Sequence, residues 1–265
     1  MTDEKNPLLL AVEDGVALLT LNRPEKLNAL SRPMIEQAVA ALERCAADPA
    51  IGCVVVTGAG RGFCAGGDID AMKADAPEAT FEEKVDRQRF GHRVPELLYM
   101  MPKITLAAVN GAAAGAGLGI ALACDLRVAS DRARFTTAFA RIGYSGDFGV
   151  TWPLTRLLGE AKAKELLLFP ELLDAEQALA LGLVNRVVAH ETLMATVRDL
   201  ARRIARGPRI AQRHMKENVR LSSTLDYLAL LDREAVSQRR TGETEDHREG
   251  VRAFLEKREP IFTGR

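Results

Sequence analysis

The sequence predicts an α/β fold with a repeated unit of buried strand, glycine-rich loop and helix. Two short apolar runs that suit buried strands, residues 53–57 and Ile104–Val109, each lead into a segment rich in glycine or alanine. From Thr151 onward the pattern is mainly helical. With 265 residues, 47% of them hydrophobic, the chain can bury a core and form one domain or one domain with an appendage.

The N-terminal residues are predicted to form a β-hairpin, followed by a polar loop and a helix. Residues 8–12 and Val16–Leu21 are apolar runs on either side of a turn sequence. After the loop, Ser31 is placed to cap a helix that runs to Ala47. The apolar face of this helix is formed by Met34, Ile35, Ala38, Leu42 and Cys45.

The later elements are predicted as short strands and helices. Residues 81–100 predict a helix that ends before Pro102, and residues 126–129 and 135–137 predict short strands. Asp174 and Gln177 have the spacing of a capping box. A short strand at residues 184–188 precedes helices that are expected to begin at His190, Pro208, Ser223 and Thr244.

Composition and charge argue against several classes of function. The 36 basic and 36 acidic residues balance, so nothing in the overall charge calls for nucleic acid or a membrane surface as a partner. No apolar run approaches the ~20 residues of a spanning helix, and the polar start does not resemble a signal peptide. We expect a cytoplasmic protein whose cysteines are reduced and buried, namely Cys45, Cys53, Cys64 and Cys124.

The late helices carry a run of basic residues that has two interpretations. Most such runs form a solvated face, and the alternative is contact with phosphate groups of a ligand. The histidines and cysteines are scattered without metal-ligand spacing, so no metal site is predicted. The basic residues are Arg202, Arg203, Arg206, Arg209, Arg213, Lys216 and Arg220.

The predicted elements are organised around the segment from Lys103 to Asp125. After its strand, nearly every residue from Asn110 to Gly119 is glycine or alanine, and a packed helix is expected over residues 118–124. A strand that turns into a helix through bare backbone presents free N–H groups, which suit an oxyanion or a phosphate. Tight packing of the helix on a sheet is the alternative. The glycine spacing differs from the dinucleotide-binding fingerprint, which disfavours that fold.

Two further glycine-rich loops are expected near this segment. Residues 58–68 follow the preceding strand of the same type, and two such loops at neighbouring strand ends could direct two backbone N–H donors at one oxygen. That arrangement is the geometry of an oxyanion hole. Residues 143–149 form a third glycine-marked loop, which contains one carboxylate, Asp147.

These motifs together resemble the enoyl-CoA hydratase/isomerase family, also called the crotonase family. The resemblance covers nearly the whole chain, with the motifs in the family's order and spacing. The residues that carry it are LNRP at 21–24, LNAL at 27–30, GFCAGGD at 62–68, AVNG at 108–111 leading to Cys124-Asp125, ALALGLVN at 178–185, and the tail from Gly250-Val251 to FTGR at 262–265.

The resemblance implies a crotonase-like spiral of ββα repeats that acts on an acyl-CoA thioester without a further cofactor. Residues 1–200 would form the acyl-CoA-binding core, and residues 201–265 a helical region used in trimerisation, as a homotrimer or a dimer of trimers. Members of the family hold the thioester oxygen with two backbone N–H groups, at positions that match Gly67 and Ala116. The second position usually carries glycine, but only its N–H is needed.

The resemblance also implies positions that bind the substrate. Lys257 and Phe262 are expected to reach the ligand of a neighbouring subunit, and Gly115 to contact the substrate. Phe139 is expected to contribute to an apolar pocket, and the alternative for it is a place in the core. For Asp68 the alternative is a cap on the next helix. The remaining expected contacts with CoA are Lys26, Leu27, Ala65, Asp68 and Ile69.

The residues at the acid/base positions favour isomerisation over hydration. Hydratases of this family use two glutamates, at positions that match Gly119 and Phe139, and neither residue can exchange a proton. Asp147 matches the single acid of the 3,2-enoyl-CoA isomerases and of the ring-1,2-epoxyphenylacetyl-CoA isomerases. In that role it would take a proton from the carbon beside the thioester and return one farther along the acyl chain. The alternative for Asp147 is a turn residue that makes only local hydrogen bonds.

Three other functions remain open from the sequence. The chain could be an enoyl-CoA hydratase that uses Asp147 and a water held in another way. It could be a catalytically silent member that binds acyl-CoA. The 4-chlorobenzoyl-CoA dehalogenases of the family also carry an aspartate that matches Asp147, as a nucleophile. They have tryptophan where Phe139 stands, which disfavours that function.

Overall fold

The protein is built on two sheets, in a computed structural model that describes residues 6–68 and 79–265. In spatial order the larger sheet contains β1 (Leu8–Glu13), β2 (Val16–Leu21), β3 (Cys53–Gly58), β5 (Ile104–Val109), β7 (Leu126–Ser130) and β10 (Arg186–Val188). The smaller sheet contains β4 (Gly62–Cys64), β6 (Ala112–Ala114), β8 (Arg134–Thr136) and β9 (Leu173–Asp174).

The strand directions confirm a repeat of two strands and a helix. Strands β2, β3, β5, β7 and β10 are parallel, and β1 pairs antiparallel with β2. Each of β3, β5 and β7 is followed by a strand of the smaller sheet, in which β4, β6 and β8 are parallel. The chain therefore passes from the larger sheet to the smaller one three times, and a helix follows each time.

Nine α-helices lie in the described residues. They are α1 (Arg32–Ala47), α2 (Phe81–Met100), α3 (Ala116–Ala123), α4 (Thr151–Leu168), α5 (Ala175–Ala180), α6 (Leu193–Ala205), α7 (Arg209–Leu221), α8 (Tyr227–Gly242) and α9 (Glu245–Glu256). Short 3-10 helices cover Pro24–Lys26, Phe139–Ile142 and His190–Thr192. Two sequence predictions are confirmed: Ser31 caps α1, and Asp174 with Gln177 forms a capping box on α5.

Both faces of the larger sheet are buried, which explains the continuous apolar runs of β3 and β5. One face joins the main core, where alternate residues such as Val54 and Val56 share a cluster with Met34 and Leu42 of α1. The opposite face packs on α6. Its cluster contains Val16, Cys53, Val55, Leu106, Ala108 and Val128 of the sheet, with Leu193, Val197 and Ala201 of the helix.

The structure corrects several predicted boundaries. Strands β4 and β6 lie inside segments that the sequence predicts as glycine-rich loops. Helix α8 begins at Tyr227 and not at Ser223, because the Ser223 hydroxyl donates back to the carbonyl of Arg220 while Asp226 accepts from the N–H of Ala229. His190 begins only a 3-10 turn, and α6 follows it.

The basic run of the late helices does not form one solvated face. Lys216 of α7 is 10% exposed at its side chain and lies 2.8 Å from the carboxylate of Asp125. Its ammonium also donates to the carbonyls of Leu98 (3.2 Å) and Lys103 (3.0 Å). Arg209 donates to two further carbonyls. Through these contacts, Lys216 and Arg209 connect the C-terminal helices to the rest of the fold.

All four cysteines are free and buried, as predicted.

Among the described helices, none has the length and apolar character needed to cross a lipid bilayer.

Candidate active site

The loop between β3 and β4 is held by two buried asparagines. The Asn110 side chain, directly after β5, donates to the carbonyls of Gly60 (2.9 Å) and Gly62 (3.1 Å) and accepts from the N–H of Gly58 at 3.2 Å. The Asn28 side chain donates to the carbonyl of Gly62 from the other side at 2.8 Å. Since β3 and β5 are parallel neighbours, these groups meet at one edge of the sheet. The loop is thereby fixed in front of the strand ends.

Gly67 lies at the end of this glycine-rich segment, paired with Leu30 in an isolated parallel bridge. The Leu30 N–H donates to the carbonyl of Gly66 at 2.8 Å, and the Leu30 carbonyl accepts from the N–H of Asp68 at 3.2 Å. Within residues 6–68 and 79–265, no group accepts a hydrogen bond from the N–H of Gly67. This backbone donor remains available to a ligand.

Ala116 is the first residue of α3, so the helix begins two residues before the predicted start at Leu118. The preceding Gly115 has φ 52° and ψ −120°, a conformation that requires glycine, and its N–H donates to the carbonyl of Thr136 at 3.1 Å. Groups of a helix's first turn have no acceptor within the helix. The Ala116 N–H has no acceptor elsewhere in the described chain either, and it lies at the positive end of the helix.

The segments that carry these two N–H groups are in contact. A methyl group on the Cα of Gly66 would lie 3.0 Å from the carbonyl oxygen of Ala114 and 3.7 Å from the amide nitrogen of Ala116. Gly66 therefore permits the segment before Gly67 to pass directly over the start of α3. Two backbone donors that lack an acceptor among the described residues thus lie on adjoining stretches of chain.

Cys64 lies against Gly117 in the first turn of α3 and is fully buried. Burial raises the pKa of its thiol to about 12. The group stays protonated at neutral pH, so it does not act as a nucleophile at this site.

Asp147 is held by two side chains of α2. One carboxylate oxygen, Oδ1, lies 2.6 Å from Nε2 of His92, and the other, Oδ2, accepts a hydrogen bond from the amide of Gln88. Gln88 and His92 are four residues apart, so they lie on one face of the helix. The Asp147 side chain is 26% exposed and thus remains accessible to a small molecule.

Phe148 anchors the loop that carries Asp147. It has a left-handed backbone conformation (φ 49°), uncommon for a bulky residue, and it is buried. Its ring atoms would lie 3.5 and 3.6 Å from a methyl group at Gly91, and its ring meets that of His92 edge-on at 5.8 Å. Its carbonyl and Cβ press against Gly119, one turn after Ala116. The loop with Asp147 is therefore wedged between α2 and α3.

Neither of the two positions matched to the hydratase glutamates carries an acid, and packing closes the space at one of them. A methyl group at Gly119 would lie 2.7 Å from the carbonyl oxygen of Phe148 and 2.8 Å from its Cβ, so no side chain fits there. Phe139 is buried, and its ring atoms would lie 3.7 and 3.8 Å from a methyl group at Gly115. Phe139 is thus an apolar wall beside the start of α3.

The comparisons with known proteins identify the family of the chain. The family model described as "Enoyl-CoA hydratase/isomerase" matches residues 11–265. The protein belongs to the enoyl-CoA hydratase/isomerase family. The chain is 41% identical over 258 residues to "1,2-epoxyphenylacetyl-CoA isomerase" of Escherichia coli (strain K12), covering 97% of this chain and 98% of the relative. It is also 41% identical over 254 residues to "Probable enoyl-CoA hydratase" of Rhodobacter capsulatus, covering 96% of each.

Solved structures give the same result for the fold. The crystal structure of an enoyl-CoA hydratase from Polaromonas sp. JS666 superposes with a TM-score of 0.92 at 34% identity, covering 97% of this chain and 99% of that one. The fold is therefore the crotonase-like α/β fold that the sequence predicts. The names of the relatives include both isomerases and hydratases, so the family alone does not choose between the two reactions.

In this enoyl-CoA hydratase/isomerase family member, the N-terminal residues expected at CoA lie beside the glycine-rich loop. Lys26 ends the 3-10 helix Pro24–Lys26, and Leu27 follows it in a left-handed conformation. The Ala65 N–H donates to the carbonyl of Leu27 at 3.0 Å. Lys26, Leu27 and Ala65 are therefore brought together on one side of the loop that ends at Gly67.

The other expected substrate residues lie in different surroundings. Asp68 is 8% exposed, and its carboxylate lies 2.8 Å from the guanidinium of Arg23. Ile69 lies outside the described residues. Lys257 caps α9 and Phe262 packs on Gly250, so both belong to the C-terminal helical region. Phe262 there lines a separate, mainly apolar cavity of about 410 Å³.

Sequence reasoning missed the partners of Asp147. His92 and Gln88 are separated from Asp147 by 55 and 59 positions along the chain. The only local signal was the spacing of the two polar residues on one face of a predicted helix. Nothing in the sequence indicated that this face meets the third glycine-marked loop.

Proposed function

We propose that this enzyme is an acyl-CoA isomerase that shifts a double bond, or rearranges an epoxide, through a thioester enolate. In this proposal Asp147 is the acid/base, and the N–H groups of Gly67 and Ala116 hold the thioester oxygen. The epoxide version is included because the E. coli relative at 41% identity is named 1,2-epoxyphenylacetyl-CoA isomerase.

The proposed oxyanion hole rests on two backbone donors, the N–H groups of Gly67 and Ala116, for which the described part of the chain offers no acceptor. An enolate oxygen carries more negative charge than the neutral thioester, so donors that are fixed in advance favour the transition state over the bound substrate. The positive end of α3 adds to this effect at Ala116. Loss of one such donor typically lowers the rate by ~10²–10³.

The proposed proton transfer rests on Asp147. Its carboxylate is oriented by His92 and Gln88, and the loop that carries it packs against the first turn of α3. Asp147 would remove a proton from the carbon beside the thioester, which leaves the enolate. The same group would then return a proton to a carbon farther along the acyl chain, while Phe139 lines the acyl group and limits water.

The observation that carries the choice of isomerase is the closed space at Gly119. A hydratase of this family requires glutamates at positions 119 and 139, by the resemblance described above. At Gly119 the loop carrying Phe148 fills the space of a side chain, and Phe139 is apolar. One carboxylate therefore remains, which suffices for moving one proton along an acyl chain.

Two substrates separate isomerisation from hydration. The purified enzyme is assayed spectroscopically with a 3-enoyl-CoA, which an isomerase converts to the conjugated 2-enoyl-CoA, and with crotonyl-CoA, which a hydratase consumes. We expect faster turnover of the 3-enoyl-CoA. Fast hydration of crotonyl-CoA without any double-bond shift would make the enzyme a hydratase instead.

The variant Asp147→Asn tests whether the protein is a silent acyl-CoA-binding member. The amide keeps the shape of the carboxylate but cannot accept a proton, so kcat should fall by ~10²–10⁴. Binding of CoA esters, measured by calorimetry, should change little because Asp147 contacts the reacting carbon and not CoA. Unchanged turnover of every substrate tested, with binding retained, would favour the silent member.

We also propose the predicted assembly, in which residues 1–200 form the acyl-CoA-binding core and residues 201–265 form the contacts of a homotrimer or a dimer of trimers. Large apolar side chains are exposed on the C-terminal helices and tail, as expected for a surface that another subunit covers. Lys257 and Phe262 would then lie near a neighbouring ligand. Light scattering should give three or six times the chain mass, and a monomer would contradict the assembly. The exposed residues are Met215, Val219, Tyr227, Leu228, Val251, Phe254, Leu255 and Ile261.

A further inference from the structure

His92 connects the carboxylate of Asp147 to the surface. Its Nε2 lies 2.6 Å from Oδ1 of Asp147, whereas its side chain is 44% exposed. Within the described ranges, its other ring nitrogen, Nδ1, has no hydrogen-bond partner and is not among the buried unpaired atoms. One edge of the imidazole thus faces the carboxylate, and the other is open to water.

The ring of His92 is fixed in this orientation. Phe148, the residue after Asp147, meets the imidazole edge-on with ring centroids 5.8 Å apart and an angle of 83° between the rings. The hydrogen bond to Asp147 and this aromatic contact hold the ring from two directions. His92 therefore keeps the same nitrogen toward the carboxylate.

Gln88 makes a different contact with the same carboxylate. Its amide donates to Oδ2 of Asp147, but an amide does not bind or release protons at neutral pH. Histidine does so readily, and its two nitrogens allow a proton to enter at one and leave from the other. Of the two side chains that bind the Asp147 carboxylate in the described structure, His92 is the one that can carry a proton.

We propose that His92 is a positioning residue through which the proton on Asp147 exchanges with solvent during isomerisation. The inference rests on the proposed function, because it requires Asp147 to receive the proton from the substrate. That proton passes from Oδ1 of Asp147 to Nε2 of His92, while Nδ1 releases its own proton to water. One proton leaves the site, no electrons are transferred, and Asp147 is again a carboxylate.

The reverse sequence supplies a solvent proton to the product. Nδ1 takes a proton from water, Nε2 passes its proton to Asp147, and Asp147 delivers it to the distal carbon of the enolate. The hydrogen added to the product therefore comes from solvent and not from the substrate. Without this route, Asp147 would return mainly the hydrogen that it removed.

Isomerisation in D₂O tests this route. Single turnovers of a 3-enoyl-CoA are followed by mass spectrometry of the 2-enoyl-CoA product and of the recovered substrate. The readout is deuterium at the distal carbon per turnover, which is independent of the overall rate. The wild-type enzyme should add deuterium in most turnovers.

Two variants of His92 and one control distinguish proton transfer through His92 from a role in which His92 only orients the Asp147 carboxylate. His92→Gln retains an N–H donor near Asp147 but cannot relay a proton, and His92→Asn gives a second such variant if the first folds poorly. Their deuterium per turnover should fall by at least about tenfold, since a positioned proton carrier typically speeds a transfer by ~10²–10⁴. The control Gln88→Leu removes the other partner of Asp147 and should keep wild-type deuterium per turnover.

Three results would overturn the inference. The first is a wild-type product that retains the substrate's hydrogen. The second is unchanged incorporation in folded His92 variants, which would mean that Asp147 exchanges directly with water. The third is an equal loss in Gln88→Leu, which would reduce both residues to orienting the carboxylate. Absence of any double-bond shift by the wild-type enzyme would instead overturn the proposed function, and this inference with it.

Discussion

Gly119 lies against the loop that carries Asp147, and its lack of a side chain determines how closely the two approach. Any Cβ at this position would come within 2.8 Å of backbone and Cβ atoms of Phe148. Backbone atoms cannot swing aside as the end of a flexible side chain can. A larger residue at 119 must therefore push the loop away from α3, and Asp147 with it.

We predict that Gly119→Ala lowers both stability and activity. Overpacking typically costs ~1–3 kcal/mol, which outweighs the gain in helix propensity of up to about 1 kcal/mol. The kcat for isomerisation should fall by ~10–100-fold, because a ~1 Å misplacement of a reacting group can cost about 10². Urea unfolding and the 3-enoyl-CoA assay measure the two effects.

The matched control is Gly242→Ala in α8. Gly242 has nothing within 4 Å of the position of a Cβ, so the substitution should be neutral or stabilising. Equal effects of the two substitutions would show that Phe148 does not close the space at residue 119.

Individual site residues could be proposed from the sequence where the residue type and its neighbours along the chain are enough to suggest a role. The Gly-Asp-Phe-Gly loop singled out Asp147, and the departures at Gly119 and Phe139 were read directly from the letters. His92 and Gln88 escaped because their role depends on which helix face meets that loop. Such a contact arises from tertiary packing and leaves no periodic signal in the sequence.

The short strand β4 and the loop before it are stabilised mainly by residues from other parts of the chain. Its glycines provide neither side-chain packing nor strand propensity. The N–H of Gly58 and the carbonyls of Gly60 and Gly62 are instead bound by the side chains of Asn28 and Asn110. Two residues outside the element therefore determine its conformation.

We predict that Asn110→Ala destabilises the protein by ~1–3 kcal/mol, because it leaves buried backbone groups without partners. Activity should fall as well, since the loop leads directly to Gly67. Asn22→Ala is the control, because the Asn22 side chain makes an exposed hydrogen bond to the carbonyl of Asn6. Similar unfolding midpoints for the two variants would show that Asn110 does not hold the loop.

The sequence predicts the elements whose stability comes from local contacts and misses those that depend on contacts with distant parts of the chain. The hairpin of β1 and β2 and the helix α1 were predicted well, because turn, cap and apolar face are all encoded locally. Strands β4 and β6 were missed because each contains three residues in a glycine- or alanine-rich segment. They exist as strands because they pair with each other across the repeat, a non-local contact.

The whole molecule depends on contacts that join the C-terminal helices to the core. Lys216 of α7 and Asp125 after α3 form an ion pair with side chains only 10% and 21% exposed. The sequence placed Lys216 in a basic run, and its burial could not be inferred without the orientation of α7. The pair links the helical region to the segment that also contains Ala116.

We predict that Lys216→Ala destabilises the protein by ~2–4 kcal/mol, somewhat less than the ~3–5 kcal/mol for breaking a fully buried pair. The substitution leaves the Asp125 carboxylate and two carbonyls without their cation. Lys164→Ala is the control, since Lys164 and Glu160 form an exposed pair whose loss should leave the urea midpoint nearly unchanged. Equal urea midpoints for the two variants would contradict this role of Lys216.

The most direct measurement is a crystal structure of the enzyme with acetoacetyl-CoA, whose enolate resembles the proposed intermediate. The account predicts that the thioester oxygen lies about 2.7–3.1 Å from the amide nitrogens of both Gly67 and Ala116. It also predicts an oxygen of Asp147 about 3–3.5 Å from the carbon between the two carbonyl groups. A thioester oxygen bound elsewhere, or an Asp147 carboxylate turned away from that carbon, would contradict it.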